Sequence, residues 1–286
     1  MTQHEFPAGA CDTHMHIYDS RYPVAPTSLL RPPDATVDQY RQVQCGLGLQ
    51  RVVVVQPSTY GFDNACTLDA VAEFENEARA VVVVDDQVTD LELEQLTRRR
   101  ARGARFHMLP GGAVPWEMMH TVADRIASHG WHIQLQMNGR DLADRFAALV
   151  ALPTPLVIDH VGRYMPPVGE DDDRFHVLLR LLDTGRCWVK LSAPYESAPD
   201  CTHRYAAVRR LVHILVDHAP ERMLWATNWP HPGQKEPPSL DDLLRLAFEW
   251  MPDADVRHRI LVDNPAELYQ FGAEAPSAGN VSTGDQ

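Results

Sequence analysis

The sequence predicts an α/β protein built as a single (β/α)8 TIM-type barrel, and three observations carry that prediction. Eight short apolar runs rich in Val, Ile and aromatic residues recur along the 286 residues, with helical patterns between them. Several runs, above all VVVV at 52–55 and VVVV at 81–84, are apolar without alternation, as strands covered on both faces are. Polar residues gather at the ends of the runs, as they do where strand termini open on one common mouth.

The first run, residues 10–17, carries His14 and His16, and a strand period of two places both imidazoles on one face. A helix over 36–47 follows a Pro-Pro-Asp turn. The second run, 51–56, ends on Gln56 with Ser58 beyond it, and 64–77 reads as helix. The third, 80–85, ends on Asp85 before a helix over 91–99, and the fourth, 103–107, carries Arg105 and His107 before a helix over 116–129. The fifth, 131–137, offers Gln136 and then Asn138, and a helix covers 141–149. The sixth, 155–160, closes on Asp159 and His160, with a helix over 174–184. The seventh, 187–192, carries Lys190 and Ser192, followed by a helix over 205–218. The eighth, 223–228, ends on Asn228, with His231 just past it. An open doubly wound sheet is disfavoured, because no G-x-G-x-x-G follows the first run and six strands would leave two runs over. The barrel domain is expected over 1–272, and 273–286, small and polar, as a disordered tail.

Lys and Arg total 26 against 39 Asp and Glu, a formal charge of -13. That field repels phosphate backbones and anionic lipid, so nucleic acid and membrane surfaces are excluded as expected partners. A small anionic substrate is not excluded, because one or two arginines in a cleft dominate locally. The five cysteines, Cys11, Cys45, Cys66, Cys187 and Cys201, form no C-x-x-C pair and read as reduced, mostly buried thiols. No segment approaches the roughly 18 apolar residues a membrane span needs, and no secretory leader is seen, so a cytoplasmic location is expected.

His14, His16 and His160 converge on the expected mouth with Arg105, a residue able to hold a carboxylate bidentately. Asn228 decides the chemistry. An Asp there could ligate a metal or take a proton from water, whereas an amide only donates and accepts hydrogen bonds.

DTHMHIY, VIDHVGR and WATNWPHP, in that order on runs one, six and eight, resemble the amidohydrolase superfamily, and within it the branch of 2-pyrone-4,6-dicarboxylate lactonase. The likeness runs from about Ala10 to about Tyr269 and includes PPDA at 32–35, Gln56-Pro57-Ser58, Gly103-x-Arg105, Gly130-Trp131-His132 and Asn264-Pro265. LPGGAV at 109–114, YES at 195–197, APER at 219–222 and TNWPH at 227–231 look like the D-galactarolactone isomerase family, which converts a 1,5-lactone of a sugar diacid into the 1,4-lactone.

The resemblance implies metal centres drawn from the His-x-His pair, a strand-five His, the strand-six His and a strand-eight Asp. Here strand five offers Gln136 or Asn138 and strand eight Asn228, so no metal and no cofactor is expected. The lactonase branch implies several arginines for two carboxylates. This chain keeps Arg105 and Arg163, but has Gly-Gly after Leu109-Pro110 and Tyr195-Glu196 where further arginines would help.

The expected function is metal-independent isomerisation of a sugar-diacid lactone, with a small anionic lactone or sugar acid as partner. His14, His16, His160 and Asn228 are the expected catalytic set. Arg105 and Arg163 would hold carboxylate, and Gln56, Ser58, Tyr195, Gln136 and His231 would contact substrate. The alternatives are a lactone hydrolase and, from another class, a barrel that binds a sugar acid without turnover.

Overall fold

The structure, a computed structural model, describes residues 5–198 and 205–272. Eight parallel strands run in the order of the sequence around one sheet. They are β1 (Cys11–Met15), β2 (Arg51–Val55), β3 (Ala78–Val82), β4 (Ala101–His107), β5 (His132–Gln136), β6 (Leu156–Ile158), β7 (Cys187–Leu191) and β8 (Met223–Trp225). Between them lie α1 (Val37–Leu47), α2 (Ala65–Glu73), α3 (Asp90–Arg98), α4 (Met119–Ala127), α5 (Leu142–Val150), α6 (Asp173–Leu182) and α7 (Ala206–His218). This is the (β/α)8 barrel that the sequence predicts.

Local chemistry sets the helix starts. Thr36 and Thr89 each form a capping box, with Gln39 and Glu92, at the amino ends of α1 and α3. The expected helices agree with these to within a few residues. Three further helices were not expected: α8 (Leu240–Trp250), opened by a Ser239–Asp242 capping box, α9 (Ala254–His258) and α10 (Asn264–Tyr269).

Two apolar assemblies hold the barrel. The larger fills the space between strands and helices. The smaller fills the barrel interior with Cys11, Val53, Val55, Val81, Val157, Trp188 and Leu224, and α10 contributes Leu268 and Tyr269 to it. Arg79 ties α10 in place, its Nε donating to Tyr269 O at 3.0 Å and its Nη2 to Gln270 O at 2.8 Å. Gly103 has no side chain for a specific reason: a Cβ there would lie 2.5 Å from His132 Nε2, inside the wall of the barrel.

The β1–β8 seam is joined by side chains and by backbone beyond the strands. Asn228 N donates to His14 O at 2.9 Å, and His16 N to Trp229 O at 2.8 Å. The buried Asp12 carboxylate accepts from Thr227 N at 3.0 Å, from Tyr40 OH at 2.9 Å and from Thr227 Oγ1. Thr13 Oγ1 donates to Trp225 O at 2.8 Å.

Of the five cysteines, Cys11, Cys66 and Cys187 are buried free thiols, Cys45 is free and exposed, and Cys201 lies outside the described residues, as does the expected tail at 273–286. No helix among the described residues is long and apolar enough to cross a membrane.

Candidate active site

A cavity of about 260 Å³ opens at the carboxyl ends of the strands, walled by His16, Tyr18, Ser58, Arg105, His107, Gln136, His160, Arg163, Glu196 and Asn228. A larger groove of about 480 Å³ lies beside α3 and includes Asp85, but no histidine or convergent donor set lines it. The smaller cavity is therefore the candidate site.

His14 and His16 reach this end through an irregularity in β1. Asp12 pairs with Val52 but Met15 with Val54, so three residues on β1 advance against two on β2. The phase of the strand shifts there, and Cys11, His14 and His16 all face inward although 11 and 14 differ by an odd step. His16 Nδ1 donates to Val55 O at 2.7 Å, which leaves a lone pair on Nε2 of the neutral ring. That Nε2 lies 3.2 Å from His14 Nε2, so the His14 proton sits on Nε2 and its Nδ1 accepts.

Three groups face His14 Nδ1: Asp159 Oδ1 at 3.2 Å, Gln134 Nε2 at 3.3 Å and, at 3.3 Å, the ammonium of the fully buried Lys190. Its ammonium has three donors and three acceptors: Thr13 O at 2.8 Å, Gln134 Oε1 at 2.7 Å and His14 Nδ1 at 3.3 Å. Asp159 balances the charge, with Oδ1 3.7 Å from Lys190 Nζ and 3.2 Å from His14 Nδ1, and Oδ2 accepting from Gln134 Nε2 at 3.0 Å. A directed chain results, from Lys190 through His14 and His16 to Val55 O. Burial pulls the Lys190 ammonium down to about 8, and Asp159 opposes that. Burial also holds His16 down to about 3 and His14 and His160 well below the ordinary imidazole value, so all three rings are neutral at neutral pH.

Arg105 is buried and held by neutral acceptors, Nη1 donating to Gln56 O and Nη2 to Gln136 Oε1, each at 2.7 Å. Gln136 Oε1 also accepts from His107 Nδ1 at 3.0 Å. Arg163 Nε, by contrast, donates to Glu196 Oε2 at 2.8 Å, so its charge is already matched.

His160 and Asn228 lie just past their strands rather than at the strand ends. Each sits on a sharp turn with positive φ, +54° and +59°, as do Arg163, Ala193 and His231 nearby. Backbone in this region costs about 1 kcal/mol or more per residue and is held by its surroundings. His160 Nδ1 is 2.9 Å from Ser192 Oγ. Asn228 Nδ2 donates to Tyr195 OH at 2.9 Å, and Tyr195 OH in turn donates to His231 Nδ1 at 2.9 Å. Asn228 Oδ1 is buried on the cavity wall and has no hydrogen-bond partner among the described residues.

Some expected substrate contacts have other occupations. Gln56 spends its amide on Gly61 O, Asp63 O and Thr67 Oγ1, tying down its own loop, and only its backbone oxygen serves the site. Tyr195 and His231 stand behind Asn228, off the cavity wall, and His14 lies beneath His16 and His160. Asn138 binds the Met165 backbone instead of the cavity. From the sequence, His107 and Lys190 are expected at the mouth without a role there, and Gln134 and Glu196 are not expected as site residues. Period two from Arg105, Gln136 and Ser192 points to the first three.

The amidohydrolase family matches this sequence over residues 11–271. The chain belongs to that family of enzymes. It is 37% identical over 271 residues to the D-galactarolactone isomerase of Agrobacterium fabrum, covering 93% of this chain and 92% of that protein. It is 33% identical over 280 residues to the 2-pyrone-4,6-dicarboxylate hydrolase of Comamonas testosteroni, covering 93% of this chain and 92% of the relative. An apo crystal structure of an Agrobacterium tumefaciens protein superposes with a TM-score of 0.89 at 36% identity, covering 94% of this chain and 98% of that one.

A catalytic zinc site keeps three good protein ligands. His14, Asp159 and His160 have ligand atoms within 4.8 Å of one another. A cation already stands against that set, however: the Lys190 ammonium beside both His14 Nδ1 and Asp159 Oδ1. The inward strand-five residue is Gln134, whose amide is committed to Lys190 and Asp159, and strand eight supplies an amide. The arrangement can polarise an acyl oxygen, hold one carboxylate at Arg105 and move a proton through neutral imidazoles.

Proposed function

We propose that this enzyme isomerises a sugar-diacid lactone, 1,5-lactone to 1,4-lactone, by intramolecular acyl transfer and without a metal. The observation that carries the reading is Asn228, whose Oδ1 is buried on the cavity wall without a partner among the described residues while its Nδ2 is fixed by Tyr195. An amide oriented in this way accepts from a substrate hydroxyl but cannot take the proton from water. The carboxylates near the cavity are each held by a cation, Glu196 by Arg163 and Asp159 by Lys190.

In this reading a substrate hydroxyl, aimed by Asn228 Oδ1, attacks the lactone carbonyl, and its effective molarity outcompetes solvent. The neutral imidazole of His160 takes the hydroxyl proton and returns it to the departing ring oxygen, so no net proton is exchanged. Donors on the tetrahedral oxyanion contribute about 3 kcal/mol each. Arg105 holds the distal carboxylate, and Ser58 and Gln136 face the polyol.

The relatives support both this reading and a second one, lactone hydrolysis with an imidazole activating water. The test is proton NMR of a lactone mixture with wild type and Asn228→Asp. The variant is expected to gain open-chain acid or to lose the ring-contracted product, and an unchanged product ratio would remove Asn228 from its role. Elemental analysis of the same active sample is expected to find no stoichiometric metal, and chelator treatment is expected to leave the rate unchanged. A cytoplasmic role in sugar-acid catabolism follows from the same reading.

A further inference from the structure

Three formal charges line the cavity among the described residues: Arg105, Arg163 and Glu196. They are not equivalent. Arg105 meets only neutral acceptors, Gln56 O and Gln136 Oε1, so its charge is uncompensated by any contact at the cavity wall. Arg163 and Glu196 face each other through Nε and Oε2 at 2.8 Å, and each side chain is 19% exposed. Only Oε2 of Glu196 is engaged, and its other carboxylate oxygen has no partner among the described residues.

We propose that Glu196 is a specificity-determining residue, which makes the cavity a receptor for lactones bearing one carboxylate and rejects those bearing two. This inference rests on the lactone reading above. One carboxylate finds Arg105. A second meets Arg163 already paired, and meets the Glu196 carboxylate beside it, in a partly buried site where like charges are poorly screened. The free oxygen of Glu196 then serves as an acceptor for a ring or chain hydroxyl, a contact that a carboxylated ring cannot make. Glu196 thus has two effects: it neutralises a guanidinium and replaces an anion subsite by a hydroxyl subsite.

The test compares binding of 2-pyrone-6-carboxylate and 2-pyrone-4,6-dicarboxylate, which share a ring and differ by one carboxylate, by titration calorimetry. Wild type is expected to bind the monocarboxylate more tightly. Glu196→Gln, which frees Arg163 with little change of shape, is expected to move the affinity ratio toward the dicarboxylate by about tenfold. Glu196→Asp, which keeps the charge, is expected to retain most of the wild-type preference. Tighter wild-type binding of the dicarboxylate would overturn the proposal without reference to any variant, and so would a ratio in Glu196→Gln within about twofold of wild type. Product formation is followed in parallel on a galactarolactone. Hydrolysis in place of isomerisation would defeat the functional reading while leaving the binding preference standing, so the two failures are distinguishable.

Discussion

Replacing Lys190 by Met tests the buried array directly. Met matches the length of the side chain but removes one charge and three donors at a position of 0% exposure. Thr13 O, Gln134 Oε1 and His14 Nδ1 each lose a donor, and Asp159 loses its balancing cation. Breaking a buried ion pair from one side costs about 3–5 kcal/mol. For a chain of this size each kcal/mol corresponds to about 2–4 °C, so Tm is expected to fall by about 6–20 °C in differential scanning calorimetry. The proton on His14 is expected to move to Nδ1, facing Asp159, which turns two lone pairs toward each other between His14 and His16. Turnover is then expected to fall by about 10²-fold, the scale of a misplaced acid–base group. In Lys190→Met/Asp159→Asn the pair is removed together, and part of the lost stability is expected to return. A Tm for Lys190→Met within about 2 °C of wild type, together with unchanged kcat, would refute the charge balance and the proton chain inferred from it.

Acid should unfold the protein early. The folded-state values of His16, His107 and His132 are held at about 3 and that of His231 at about 4, all below the unfolded value near 6.5. The unfolded chain therefore binds more protons between those limits. Stability is complete above about pH 6.5 and falls by up to about 1.4 kcal/mol per pH unit for each ring as pH drops toward the folded values. Circular dichroism against pH should show loss of structure by about pH 4, and a native spectrum at pH 3.5 would contradict the buried neutral rings. Tyr195→Phe should leave Asn228 Nδ2 unpaired at a cost of about 1–3 kcal/mol and lower kcat with little change in KM, because Tyr195 acts through Asn228. Steady-state kinetics decide this, and a pure KM effect would place Tyr195 against substrate instead.

Much of the fold was legible because parallel strands buried on both faces leave a plain record, as at 52–55 and 81–84. The convergence of His14, His16, Arg105, His160 and Asn228 was legible for the same reason, since period two and barrel topology place them at one end. What the sequence could not show is which polar atoms are already taken. Gln56, Tyr195 and His231 have the residue types of substrate contacts, yet the loop after β2 consumes the first and Asn228 engages the other two in series. Lys190 and Gln134 lie one strand step below the cavity, where an apolar interior was the natural expectation. Helices α8 to α10 follow the last strand, beyond the alternation that guided the reading. The turns holding His160 and Asn228 depend on positive φ at non-glycine residues, a conformation for which Asn and His are enriched but which their presence alone does not specify.

The hydrogen bonds at the β1–β8 seam have a bearing on when the enzyme becomes competent. His14 and His16 are translated within the first turns of the chain, and Asn228 reaches them only across a junction whose Asp12–Thr227 contacts span 215 residues. Contacts of such separation form late in folding, after the loop-closure cost has been met. A nascent or truncated chain lacking the eighth strand holds the histidines without Asn228 beside them. With Asn228 in the role proposed above, activity is a reporter of ring completion, and a local parting of this one junction is expected to silence the enzyme before the rest of the barrel melts.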